Sequence, residues 1–316
     1  MEAFNNTPFI GPMLTDGGLE TELVYKHGLQ LPHFAAFAIL QDPKGTDIVL
    51  NYYRKFLDLA KQYSTGFVLE APTWRANPDW AFKLGYSEKE LEEINLNCIG
   101  LMNSLKDEYA DSIDQIWVSG NIGPRADGYV VDESLMSAKE AENYHLGQIK
   151  SFKKADVDQV TAMTINYLDE ALGIVQAAKK CGVPVVISFT TETDGKLPSG
   201  EKLQDVIEYI DLQTGFYPKY YMVNCAHPTH FVEQLGSPAK WSERIMGIRA
   251  NASCKSHEEL DNSEELDSGD REELSNWYVQ LREILPNLAV YGGCCGTDHT
   301  HIEAICGKLL KHEAYG

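Results

Sequence analysis

Short apolar runs alternate along the chain with longer stretches whose apolar side chains recur at helical spacing. Pro12 to Leu14 opens the series and ends at Thr15, Asp16, Gly17 and Gly18. From Asp47 to Gln62, the residues Val49, Tyr53, Phe56, Leu57 and Ala60 recur three or four apart, which predicts an amphipathic helix. Phe67 to Leu69 predicts a second strand, ending at Glu70, Ala71, Pro72 and Thr73. Ser87 followed by Glu90 is a capping-box signature for the next helix. Ile116 to Val118 is a third strand, closed by the stretch Gly120 to Pro124, and a helix through Glu140 to Lys153 follows.

The second half repeats the alternation. Gln159 to Thr164 is a fourth strand, and Leu168 to Lys180 a helix stopped by Gly182. Val183 to Phe189 is a fifth strand, with Val206 to Ile210 in the helix after it. Tyr220 to Asn224, Arg244 to Arg249 and Leu288 to Gly292 complete the set. Eight unbroken strand–helix units predict a parallel sheet, and a sheet of that size closed on itself is a (β/α)8 TIM barrel. The expectation is a single domain over residues 1–316.

In such barrels the chemistry sits at the C-terminal ends of the strands. The polar and glycine-rich clusters of this chain fall at those ends: Asp16 to Gly18, Thr73, Asn121, Asn224 with Cys225, and Cys294 with Cys295. The last cluster, Gly292-Gly293-Cys294-Cys295-Gly296, follows the apolar run Leu288 to Tyr291. Neighbouring side chains on a strand point to opposite faces, but at a glycine-freed strand end both sulfurs can turn toward one point. Cys225 ends its own strand in an equivalent setting. Three thiolates there would fill three corners of a tetrahedral zinc site and leave the fourth open. The same residues also admit plainer readings, as small buried hydrophobes or as a Cys294–Cys295 redox dithiol, although a bond between neighbours is strained.

Composition narrows the function. A chain of 316 residues with 43% hydrophobic content can bury one large core. Its net charge of −20 repels phosphate backbones and anionic lipid heads, so nucleic acid and membrane are poor partners. No apolar run reaches membrane-spanning length, and the start, Met1 to Asn6, lacks the features of a signal peptide. Seven cysteines, partly adjacent, argue against a secreted disulfide framework. A cytoplasmic protein with reduced thiols is expected. Much of the acidic excess lies from Glu258 through Asp261, Glu264, Glu265 and Asp267 to Glu273, which reads as a solvated loop leading into a helix. His299 and His301 follow Thr297 and Asp298, the expected start of the last helix, and read as capping or packing groups. His227 and His230 likewise read as supporting or surface groups.

Taken together, Asp16-Gly17-Gly18 with Glu20, Asn224-Cys225, and Gly292 to Thr297 resemble the three motifs of the zinc-dependent homocysteine S-methyltransferase family. Ser119 to Pro124 and Ser188 to Gly200 resemble two further loops of that family, so the likeness runs from about Pro12 to Ile305. The resemblance implies Zn2+ bound by Cys225, Cys294 and Cys295, which are then both ligands and catalytic residues. It places Asp16, Gly17, Thr73 and Asn224 at the homocysteine pocket, with Asp16 facing the substrate ammonium. It also implies the reaction. Zinc on three thiolates keeps a substrate thiol ionised near neutral pH, where a free thiol of pKa about 8.5 is mostly protonated. That sulfur takes a methyl group from a small onium donor of the S-methylmethionine, S-adenosylmethionine or betaine type, giving methionine.

Three positions depart from the pattern. Met163 stands where many relatives carry a glutamate at the end of the fourth strand, with Glu70 and Glu192 as possible substitutes. Arg125, Ala126 and Asp127 replace a tyrosine after the glycine–proline loop. Arg249 to Ser253 replaces a proline–asparagine–serine–glycine stretch. A different thiol or selenol as acceptor therefore stays open, as does a non-catalytic zinc/thiol redox sensor, and so do the donor and the oligomeric state.

Overall fold

Eight parallel strands close into a barrel in chain order: β1 Met13–Leu14, β2 Gly66–Glu70, β3 Ile116–Ile122, β4 Gln159–Ile165, β5 Val185–Phe189, β6 Tyr221–Asn224, β7 Ile245–Ala250 and β8 Val290–Gly293. β1 pairs with both β2 and β8, which closes the ring. The protein is thus the (β/α)8 barrel its alternation predicts. This is a computed structural model and describes residues 8–310, apart from 130, 132–134 and 264. The chain start, Met1 to Asn6, and Glu264 of the acidic run lie outside the described residues.

Element ends differ from the sequence reading for local reasons. β3 continues past Val118 because Ser119 to Ile122 stay in register with Gln159 to Ala162. Polar residues can prolong a strand where they line a wet barrel interior, and the apolar run alone does not reveal it. The helix expected from Asp47 starts at Pro43, because the Asp42 side chain accepts from the Lys44 amide and Pro43 occupies the first turn. The Ser87–Glu90 capping box forms as expected at the head of the helix Glu88–Tyr109. The helix Leu168–Cys181 ends at Gly182, at φ +65°.

Two cores hold the barrel. One lies between sheet and helices, where Val49, Tyr53, Phe56 and Leu57 of the helix Pro43–Gln62 are buried with Phe67 and Leu69. The other fills the barrel's interior toward the N-terminal strand ends, with Met13, Val68, Val186, Tyr220, Met222, Met246 and Val290. Each such side chain contributes about 1.5–3 kcal/mol of burial. Toward the C-terminal ends of the strands buried polar residues appear: Glu70, Ser119, Thr161, Asn224 and Arg249. The apolar plug closes one end, and the polar end opens into a cavity. Among the described residues no helix is long and apolar enough to cross a membrane.

Candidate active site

Cys225 follows β6 and Cys294 follows β8, on either side of β7, and Cys295 comes next in the glycine turn. All three sulfurs lie within 4.8 Å of one another. Those of Cys225 and Cys294 are paired as a disulfide, so the bond is not the one between sequence neighbours. In the reduced state three thiolates would face one point on the cavity wall. Zinc–sulfur bonds of about 2.3 Å set ligand sulfurs roughly 4 Å apart, so the Cys225–Cys294 bond must be reduced and its sulfurs must part before all three could hold the metal. The donor set is all sulfur, the soft set that suits zinc. Among the described residues no other group of this kind is present.

The backbone around the sulfurs is firmly held. Cys225 has φ +53°, which costs a non-glycine residue energy and needs outside support. Its carbonyl supplies that support, accepting from Asn251 Nδ2 at 3.0 Å and Thr190 Oγ1 at 3.3 Å, with His257 Nε2 at 2.7 Å. Asn224 braces the neighbouring strands. Its Oδ1 accepts from the Thr164 amide at 2.9 Å and Ser188 Oγ at 2.6 Å, and its Nδ2 donates to Thr164 Oγ1 at 2.8 Å. The same Nδ2 lies 3.9 Å from Cys294 Sγ. Gly18 packs against the cysteine turn so tightly that a Cβ there would sit 2.7 Å from the Cys294 carbonyl oxygen.

Asp16 is fully engaged. Its Oδ1 accepts from Arg249 Nη1 at 2.8 Å and Thr15 Oγ1 at 3.0 Å, and its Oδ2 from the Tyr52 hydroxyl at 3.0 Å. Arg249 also donates to the carbonyls of Gly293 at 3.0 Å and Gly17 at 3.1 Å. Burial opposes the guanidinium charge, yet Asp16 and Glu70 hold Arg249 above its ordinary pKa. The motif carboxylate thus has a built-in cation. The departure at Arg249 is therefore the partner of Asp16.

Above these residues lies a cavity of about 360 Å³, in the range of small-molecule sites. Among the described residues, six carboxylate side chains line it (Asp16, Glu20, Glu70, Asp127, Glu265 and Asp267) against two guanidinium groups, Arg75 and Arg249. Burial pushes the Glu70 carboxyl up to about 7, although Arg249, Ser119 and Thr161 pull it down. Burial also raises Glu20 to about 7, with Asp16 adding to the rise. Arg75 is lowered to about 10 by burial; it stacks 4.1 Å from the rings of both Trp74 and Trp80.

Asp16, Gly17, Asn224 and the three cysteines all border the cavity, whereas Thr73 does not. The Thr73 hydroxyl donates instead to the Asn121 carbonyl at 2.7 Å, tying the ends of β2 and β3 together. Met163 borders the cavity and Glu192 does not; Glu192 lies 3.2 Å from His257 Nδ1. His301 reaches the Asp298 carboxylate and the Ser268 carbonyl, and His227 caps the helix Pro228–Leu235. His230 Nε2 lies 2.9 Å from the Cys254 carbonyl oxygen. All three histidines support structure, as their positions suggest.

Two features escaped the sequence reading. The acidic segment is not wholly a solvated loop: Leu260, Ser263, Glu265, Leu266 and Asp267 line the cavity. Tyr129 follows the departure at Arg125 to Asp127 and brings its hydroxyl to 3.6 Å from Cys295 Sγ, with its ring stacked on His257 at 4.0 Å. A tyrosine shortly after a glycine–proline loop was the available signal.

Comparison with known proteins agrees in fold and sequence. A family profile described as homocysteine S-methyltransferase matches residues 13–309. Homocysteine S-methyltransferase 1 of Arabidopsis thaliana is 23% identical over 325 aligned residues, covering 95% of this chain and 94% of that protein. Homocysteine S-methyltransferase 1 of Brassica oleracea var. italica is similar to the same extent. The crystal structure of the metallated form of the homocysteine methyltransferase MmuM from Escherichia coli superposes with a TM-score of 0.72 at 17% identity, covering 94% of this chain and 96% of that one.

Proposed function

We propose that this chain, which belongs to the homocysteine S-methyltransferase family and is a methyltransferase, moves a methyl group from a small onium donor to homocysteine, with zinc on Cys225, Cys294 and Cys295. The observation that carries the reading is the convergence of those three sulfurs on the wall of a substrate-sized cavity at the C-terminal end of the barrel. Zinc held there supplies a soft Lewis acid that keeps a substrate thiol ionised near neutral pH. The protein's own residues do the rest. Asn224, Asn251 and Thr190 fix the strand ends that present the sulfurs. The excess of carboxylates attracts the positively charged centres of the substrates, the onium group of the donor and the ammonium of the amino acid. The cavity walls hold thiol and methyl carbon in line and keep bulk water out. A cytoplasmic setting suits thiolates that must stay reduced.

A thiol-based redox sensor is the second reading, and one observation favours it: Cys225 and Cys294 are paired as a disulfide. Met163 in place of an acid likewise keeps a different thiol or selenol acceptor in view. One assay separates these. Zinc-loaded protein is given homocysteine with methyl-labelled S-methylmethionine, S-adenosylmethionine or betaine, and labelled methionine is measured. Label should appear with at least one donor and vanish in Cys294→Ala. Zinc binding without transfer to any thiol, but with zinc loss on oxidation, supports the sensor instead.

A further inference from the structure

An amino-acid thiol brings an ammonium group into the cavity, and a buried ammonium needs a carboxylate that is not already taken. Asp16 is taken. Both its oxygens accept hydrogen bonds, and Arg249 lies 2.8 Å away, so a second cation there would meet like charge. Glu192 is engaged with His257 outside the cavity. Met163 offers no charge. Glu70 is different. It ends β2, borders the cavity and is 3% exposed, and its Oε2 is buried without a hydrogen-bond partner. Ser119 and Thr161, whose hydroxyls lie 2.8 Å apart, act on the same carboxyl and favour its charged form. Arg249 acts on Glu70 through space, but among the described residues no contact ion pair reaches either Glu70 or Glu20, and both carboxyls act on the buried Tyr53 of the same cavity wall.

We infer that Glu70 binds the ammonium group of the thiol substrate, in the role that sequence likeness gives to Asp16, with Glu20 reinforcing the negative potential of the same wall. An unsatisfied buried carboxylate oxygen costs stability with no structural return, whereas a cation in the cavity would satisfy it. The Asp16–Arg249 pair then serves as a strut across β1, β7 and β8. The burial that pushes Glu70 up to about 7 has the same effect: it favours a bound cation that restores the charged form. The inference rests on the proposed reaction only in taking homocysteine as the thiol.

The test compares binding of homocysteine and of 4-mercaptobutanoate, which has the same thiol and carboxylate but no amine. Titration calorimetry on zinc-loaded wild type, Glu70→Gln and Glu70→Asp reads this without requiring turnover. Wild type should prefer homocysteine. Glu70→Gln should lose about 10- to 150-fold in homocysteine affinity, the range of one charge-assisted hydrogen bond. Its affinity for 4-mercaptobutanoate should stay within about threefold. Glu70→Asp, which keeps the charge but draws it back one methylene, should retain part of the preference and covers the case in which glutamine disturbs folding. Equal losses for both thiols, an undiminished preference in Glu70→Gln, or no preference in wild type each overturn the ammonium site. Amine-selective binding without methyl transfer to homocysteine would instead leave the site standing and remove the proposed reaction.

Discussion

Arg249 Nη1 lies 2.8 Å from Asp16 Oδ1, a buried ion pair between residues 233 positions apart that locks β7 onto the end of β1. The motif carboxylate at the mouth of the barrel therefore carries structure first. Removing one partner of such a pair strands the other charge in a low-dielectric site.

Replacing Arg249 with methionine should cost about 3–5 kcal/mol of stability, because it leaves Asp16 buried and unpaired. Urea unfolding near neutral pH checks this. A loss below about 1 kcal/mol, the scale of an exposed pair, would mean that Asp16 has water or another partner and is available to substrate after all. Asp16→Asn should behave in the same way, destabilising the protein and weakening both amine-bearing and amine-free thiols.

Cys225→Ala, Cys294→Ala and Cys295→Ala should each release zinc and abolish transfer, while circular dichroism still reports a folded barrel. Cys254→Ala, at an exposed position, should keep a full equivalent of metal. Metal analysis of the four purified proteins decides it. Zinc retained in Cys294→Ala would remove the thiolate site from the account.

The strands and the cysteine cluster were legible because they follow from simple periodicities. Short apolar runs such as Val185–Phe189, rich in β-branched residues and bounded by turn signals, read as buried strands, and glycines beside Cys294 mark a turn that frees side-chain directions. Charge pairing was not legible. Arg249 and Asp16 belong to separate motifs, and only closure of the barrel brings their strands within reach. One clue existed, an arginine inside the apolar run Ile245–Ala250, since such a charge must find a buried partner. The acidic stretch misled for a similar reason. Its composition is that of a solvated loop, but Leu260 and Leu266 within it anchor one side of the cavity and carry Glu265 and Asp267 with them. The family pattern puts Thr73 at the substrate pocket, yet it does not border the cavity, because its hydroxyl is held by the Asn121 carbonyl, a contact that no single-strand pattern encodes.

Gly18 offers a purely steric test of the coupling between β1 and the cysteine turn. A Cβ there would lie 2.7 Å from the Cys294 carbonyl oxygen, a backbone atom that cannot step aside without moving the adjacent sulfurs. Gly18→Ala should cost about 1–3 kcal/mol by overpacking and weaken zinc retention against a chelator. Unchanged zinc retention would show that the turn yields independently of the ligands.

Glu70 also predicts a pH signature in stability. Its carboxyl is raised from 4.5 to about 7, so the folded protein keeps a proton that the unfolded chain has released. The resulting stabilisation is complete below about pH 4.5 and is lost as pH rises through 7. Ionising the buried group at pH 8 therefore costs about 3 kcal/mol, at 1.36 kcal/mol per pH unit. Glu70→Gln, which cannot ionise, should be the more stable protein at pH 8 by about 2–3 kcal/mol, with the gap closing toward pH 5. Thermal or urea unfolding at the two pH values tests the sign as well as the size. Wild type exceeding Glu70→Gln at pH 8 would mean that Glu70 is stabilised by a partner rather than held for a substrate.

Met163 is the remaining departure, and the site's charge makes its consequence definite. It borders the same cavity as Glu70 and Glu20, and its carbonyl accepts from Trp74 Nε1 at 3.2 Å, which fixes the β4 end. A glutamate at this position would add another carboxylate to a wall where burial already holds two near neutrality. Like charges in so desolvated a space raise one another's pKa, so the newcomer would be partly protonated and would weaken Glu70 as an anion. Met163→Glu should then leave homocysteine affinity within about threefold or reduce it, since the ammonium already has its partner; the loss of one charged contact would be about 1.5–3 kcal/mol. Direct binding measured at pH 7 and pH 8.5 reads the effect, with any loss smaller at the higher pH, where all the carboxylates are ionised. A tenfold gain in affinity at either pH would mean that the wild-type wall is short of negative charge for homocysteine, and that its natural acceptor is a thiol or selenol without the amino-acid ammonium.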